Sequence, residues 1–257
     1  MDKGSIGGVI LAIAGIIAGL LIEGGKITQI LQPTAALIVF GGTMGAILLQ
    51  FPINTVTSAF RSMANVFVAP QKQNEELMQL LVSYANKARR SGVVSLDADL
   101  AAITDPFLKQ SLMLAVDGTE SAELRKIMRV ALDCASEREE RLPLVFESAG
   151  GFSPTIGILG AVLGLIQVMQ HLDNIQEVGR GIAVAFVATI YGVGIANLFF
   201  LPLAGKIRIH LHDDQQRREM ILEGVISILE GMNPRMLAIK LSGFLNDAKV
   251  DTKEQAA

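Results

Sequence analysis

The chain has no tryptophan, one cysteine and few charges. Only 18% of its 257 residues are Asp, Glu, Lys or Arg, where a soluble domain of this size carries about 25%. The lone Cys134 has no partner for an internal disulfide, which excludes a disulfide-built secreted domain. A net charge of −3 leaves no basic excess for nucleic acid. No G-x-G-x-x-G, P-loop, zincin or nucleophile-elbow pattern occurs. His171, His210 and His212 are the only histidines. The last two, two apart on a helix, face different ways, which argues against a metal site. No enzyme and no cofactor are expected, and neither a strand pattern nor an internal repeat is visible. What is abundant is apolar: 51% hydrophobic residues, mean hydropathy +0.45 and 25 glycines, a composition that suits closely packed membrane helices.

Four stretches hold no charged residue: Gly4–Ile22, Ile27–Phe60, Ser148–Gln170 and Gly181–Gly205. The first contains an 18-residue core from Ser5, about 27 Å long as a helix and close to the roughly 30 Å hydrocarbon layer. As a signal peptide it lacks a basic leader beyond Lys3, and no A-x-A site follows the apolar stretch before Glu23. These stretches predict an all-α membrane protein with four transmembrane helices and a helical cytoplasmic domain. The spans fall at about 5–22, 34–51, 153–170 and 181–203. Pro154 is expected in the first turn of the third span, and Pro202 near the far end of the fourth. The segments are thus 1–52 with two spans, a cytoplasmic helical domain 53–147, two more spans in 148–205, and cytoplasmic helices with a tail in 206–257.

The two short loops between paired spans carry only Lys26 and Arg180, and the other 20 of the 22 Lys and Arg lie in the remaining regions. The positive-inside rule makes those regions, and both termini, cytoplasmic. Within them, Asn74-Glu75-Glu76 starts a helix that Gly92 stops, Asp105-Pro106 starts a second that Gly118 ends, and a third begins at Thr119. Leu124, Ile127, Met128, Ala131 and Leu132 form an apolar stripe along the third. Ala135–Glu147 leads into the third span, and Lys206–Glu230 extends the fourth to Gly231. A short helix, Arg235–Asn246, precedes a polar tail of disordered composition.

The spans contain no Asp, Glu, Lys, Arg or His. Ion translocation through a bilayer needs a group that binds and releases the ion, so a carboxylate would have to come from another chain. Thr43, Ser153, Thr155, Gln167, Thr189, Tyr191 and Asn197 are the polar groups available to surround it. Small-xxx-small pairs at Gly15/Gly19, Gly41/Gly45 and Gly160/Gly164, the last extended by Gly157, permit close helix contact, within one chain or between chains.

Pro154-Thr155-Ile-Gly157 with Gly160-Ala-Val-Leu-Gly164 resembles the third span of the MotA/PomA family. Thr189-Ile-Tyr-Gly192, Ala196-Asn197 and Leu201-Pro202-Leu203 resemble its fourth. Glu23-Gly24-Gly25, Val39-Phe40-Gly41-Gly42-Thr43, Ala88-Arg89-Arg90-Ser-Gly92, Leu96-Asp97 and Asn233-Pro234-Arg235 follow in the family's order. The resemblance implies a subunit of the ion-driven flagellar stator in the bacterial inner membrane. It implies a homo-oligomeric ring, pentameric in the family, around a MotB-type partner. That partner has one span with an ion-binding Asp and a peptidoglycan-binding domain. A related branch, resembling ExbB and TolQ, energises outer-membrane transport or envelope maintenance instead. Its members place one span before the large cytoplasmic domain, whereas two are expected here.

The resemblance also implies residue roles. Pro154 and Pro202 would shape the pore and couple ion flow to movement; the alternative is a helix-end proline. Thr189 and Thr155 would face the partner's carboxylate or bound water; the alternative for Thr189 is a bond to its own helix. Glu147 matches a Glu at the cytoplasmic mouth, or is an interfacial acid. Ala161 stands where sodium-driven relatives tend to place Thr, so the coupling ion is expected to be H⁺ rather than Na⁺. Arg89, Arg90 and Asp97 match positions that contact the rotor's FliG-type switch protein, Asp97 standing where Glu is usual. Arg89 and Arg90 equally offset a helix dipole.

Overall fold

A computed structural model of the chain describes residues 3–66 and 73–245, and the polar tail expected after Asn246 lies outside them. Among the described residues all regular structure is helical. The first helix, α1 (Lys3–Ile22), is followed by a short 3-10 turn, Ile27–Gln29. Helix α2 (Pro33–Gln50) opens on a proline, whose missing N–H costs nothing in a first turn. It ends because Phe51, directly before Pro52, is held extended at φ −119 and ψ 143. Helix α3 (Ile53–Val66) is amphipathic, and α4 (Gln73–Ser91) carries Glu75 and Glu76 in its first turn and Arg89 and Arg90 in its last. Gly92 follows at φ 79, a conformation that disfavours any side chain, and a 3-10 segment, Val93–Asp99, comes next. Asp105 caps α5 (Pro106–Val116) by accepting from the Phe107 and Leu108 amides at 2.9 and 3.0 Å. Then come α6 (Ser121–Glu139), α7 (Arg141–Gln170), α8 (Ile175–Ile195), a π-helical turn at Ala196–Phe200, α9 (Leu201–Leu229) and α10 (Pro234–Ser242).

Several ends differ from the sequence expectation. The third helix of the polar region starts at Ser121, and the last stops at Ser242. A turn at Glu140 separates α6 from α7. Helix α7 begins at Arg141, not near Ser153, so Pro154 lies inside the helix and not in its first turn. Helix α9 runs through Pro202 to Leu229, as the expected extension of the fourth span by Lys206–Glu230 requires. Among the described residues three stretches are long and apolar enough to cross a membrane: Pro33–Gln50, a window in Ser121–Gln170 and a window in Ile175–Leu229. Gly7–Ile22 is apolar but shorter. These helices display large apolar side chains, with Leu49 90% and Leu37 77% exposed, a surface that demands lipid or other protein rather than water.

The chain divides into two units, Met1–Ala69 with Glu139–His210 and Pro70–Arg138 with Leu211–Ala257. In the first, α7 and α8 pack along a glycine seam, and α2 lies on both through Ala35, Val39, Thr43 and Ile47, one face at four-residue spacing. Helix α3, which in the sequence reads with the cytoplasmic segment, belongs here: Phe60 meets Phe146 of α7 edge-on at 5.4 Å. In the second unit Leu81, Leu96, Leu112, Leu124, Met128 and Val225 are fully shielded within one apolar core. Ile127, placed by periodicity in the apolar stripe of α6, is 39% exposed and lies off the buried face.

Candidate functional site

The close approach of α7 and α8 is what builds the site. A Cβ on Gly157 would stand 2.9 Å from the Ala188 carbonyl oxygen, one on Gly164 2.8 Å from that of Gly181, and one on Gly160 2.8 Å from the Ala188 Cβ. Alanine at the first two would push backbone against backbone, so these glycines set the helix separation. The Gly157, Gly160 and Gly164 face is thereby spent inside the chain. Gly15, Gly19, Gly41 and Gly45 meet nothing within 4 Å, and their faces stay open.

Pro154 sits half-buried on α7, where its missing N–H leaves the Gly150 carbonyl without its helical donor. Hydroxyls flank it: Ser153, buried, donates to the Ala149 carbonyl at 2.7 Å, and Thr155, exposed, donates to Phe152 at 2.7 Å. On α8 the half-buried Thr189 hydroxyl donates to the Ala185 carbonyl at 3.2 Å, so the back-bond weighed from sequence is made. A hydroxyl whose hydrogen is engaged keeps its lone pairs, so Thr189 is set to accept from a water or a protonated acid. Ala161 is half-buried and offers no oxygen besides its backbone carbonyl. Asn197, exposed in the π-helical turn, donates to Val193 at 2.9 Å, and Gln167 is exposed.

Two residues from the polar set turn elsewhere. Thr43 is 3% exposed with its hydroxyl unpartnered among the described residues, so it faces the bundle interior and is not presented to another chain. Tyr191 donates to the Ile30 carbonyl at 2.5 Å and accepts from the Gln32 amide at 3.3 Å, tying α8 to the segment leading into α2. From Glu147 of α7 and Pro202 of α9 the structure adds what sequence reasoning missed. Glu147 forms an ion pair with Arg208, and Pro202 stands just after a π-helical turn closed by the Leu201 amide on the Ala196 carbonyl. A Pro deprives the turn before it of a donor, which is the one sequence signal for that irregularity.

In the second unit, Arg89 and Arg90 end α4 and Asp97 lies on the 3-10 segment after Gly92, all three exposed and without ion-pair partners among the described residues. Leu96, fully buried beside Asp97, anchors that segment while its acid points outward. Beneath it Lys87 pairs with Asp99 at 2.7 Å. Further along, Glu223 of α9 receives Arg125 of α6 and, at 2.6 Å, Lys240 of α10. Burial alone would raise its carboxyl, but those two hydrogen bonds and charges outweigh it and hold it below the usual range. No group of three metal-ligating side chains exists among the described residues.

Comparison with known proteins shows what these features accompany. The MotA/TolQ/ExbB proton channel family matches residues 99–220, and the Motility protein A N-terminal family matches residues 6–92. Motility protein A of Bacillus subtilis (strain 168) is 35% identical over 250 residues, covering 95% of this chain and 91% of the relative. Among solved structures, C. jejuni MotAB is similar with a TM-score of 0.91 and 31% identity, covering 96% of this chain and 97% of that one. The flagellar MotAB stator complex from Bacillus subtilis is similar with a TM-score of 0.87 and 34% identity, covering 95% and 96%.

Proposed function

The chain belongs to the MotA/TolQ/ExbB proton channel family, on its motility protein A side, and from that premise we propose how it works. It is a stator subunit of the flagellar motor, an inner-membrane protein of several spans that acts with a MotB partner. The ExbB- or TolQ-like alternative is the weaker one, because residues 6–92 match the motility protein A N-terminal family.

The observation that carries the mechanism is an absence within the apolar helices. From Ser148 to Gln170 of α7 and from Gly181 to Gly205 of α8 and α9 no side chain is Asp, Glu, Lys, Arg or His. The ion-binding carboxylate is then the partner's, in a single span anchored to peptidoglycan. Pro154, Thr155, Ala161 and Thr189 line its path and Pro202 and Glu147 its cytoplasmic end, with both termini cytoplasmic. Thr189 accepts from the protonated acid or its water. H⁺ is the coupling ion, since Ala161 supplies no side-chain oxygen for Na⁺. Four spans, counting α1, and five copies around two partners make the ring, and protonation of the partner's acid lets it turn. One charge crossing 100 mV supplies about 2.3 kcal/mol, so torque is built from many steps. Arg89, Arg90 and Asp97, exposed and unpaired among the described residues, meet the FliG-type rotor protein.

Gentle purification from the native membrane tests this. A co-purifying single-span protein with an Asp in its span and a peptidoglycan-binding domain supports it. An outer-membrane transport partner would move the function to the envelope.

A further inference from the structure

Two helix breaks lie against each other in the first unit. On α7, Pro154 frees the carbonyl of Gly150. Across from it, a Cβ on Gly150 would stand 2.6 Å from a methyl of Leu201, the residue between the π-helical turn Ala196–Phe200 and Pro202. On one side of that contact the backbones lock, Gly192 against Ser153. On the other side an ion pair joins α7 to α9, Glu147 with Arg208, at side-chain exposures of 32% and 61%. Helices with a broken hydrogen-bond ladder bend there, and two breaks at one level give a flexing point shared by both helices. Movement started in the membrane passes that point before it reaches the rest of α9.

We propose that Arg208 is a positioning residue for the torque-generating movement: by holding Glu147 it straps α7 to α9 beyond the paired breaks, so that the two helices bend together. The proposal rests on the ion-pathway reading only in placing Glu147 and Pro154 within the moving part. A solvent-reached ion pair adds little to stability, so the strap acts on transmission and leaves assembly intact. Because it works by a positive charge held close to Glu147, lysine at position 208 serves as arginine does.

The test measures single motors while stator units join one at a time, so that the height of each speed step reports torque per unit and the number of steps reports assembly. R208Q should lower torque per unit at least threefold with the number of steps unchanged, R208K should stay near the unsubstituted motor, and R208E should fall to or below R208Q. Unchanged torque in R208Q overturns the proposal, as does R208K no better than R208Q. Should R208Q fail to reach the membrane, R208K against R208E decides, and equal torque in those two overturns the proposal. Failure of the ion-pathway reading would show separately, as normal torque in T189V.

Discussion

Gly192 of α8 and Ser153 of α7 approach so closely that a Cβ on the glycine would lie 2.4 Å from the serine carbonyl oxygen. Backbone cannot yield as a side-chain end does, so Gly192→Ala must spread the two helices. The expected cost is about 1–3 kcal/mol, read as a lower thermal midpoint in detergent. Gly194→Ala, two residues on with nothing within 4 Å, should leave the midpoint unchanged or raise it slightly.

Asp105 does two jobs, capping α5 through one oxygen and pairing with Arg217 through the other at 2.8 Å. Asp105→Ala should cost about 2 kcal/mol, and Asp105→Asn, which keeps an oxygen for the cap, about 0.5 kcal/mol. Thermal unfolding of both variants against the unsubstituted protein measures the difference.

The Glu223 cluster makes stability pH-dependent. Arg125 and Lys240 hold this carboxyl below its ordinary 4.5, so the folded state binds its proton less readily than the unfolded chain does. Its contribution is full above about pH 4.5 and is lost as pH falls through the lower folded value. The midpoint gap between the unsubstituted protein and Glu223→Gln should therefore be constant near neutrality and close on acidification.

Thr189 separates a hydroxyl that packs from one that works. Thr189→Ser keeps the oxygen and should keep rotation. Thr189→Val keeps the shape, relieves the bond to Ala185 at little cost in stability, and should abolish torque at equal membrane abundance. Swimming speed with an immunoblot of membranes distinguishes them.

Arg89→Glu and Asp97→Lys change exposed charges that no neighbour among the described residues compensates. Each should reduce swimming several-fold with stability, read from thermal unfolding, changed by less than about 0.5 kcal/mol.

Local chemistry made many helix ends legible in advance. Asp105-Pro106 starts a helix through a cap and a missing donor, Gly92 stops one through a positive φ, and each does so here. The apolar runs and their lack of ionisable groups were equally plain. Pro154 misled because a proline looks like a start, whereas Ser153 and Thr155 bond to carbonyls on either side and α8 packs against the break. Which glycine face is used within the chain depends on how two helices pack, as does the pairing of Glu147 with Arg208, and no periodicity encodes either. Thr43 shows the same limit, since a hydroxyl among apolar neighbours reads alike whether it faces the bundle or another chain.

The central claim is that this chain conducts only with a carboxylate supplied from outside it. The direct measurement is acid uptake by vesicles holding the chain alone, the chain with its MotB-type partner, and the chain with that partner's intramembrane Asp changed to Asn. Uptake driven by a membrane potential in the second preparation alone is the predicted result. Equal uptake by the chain alone would contradict the account, because it would place the proton carrier among residues that lack one.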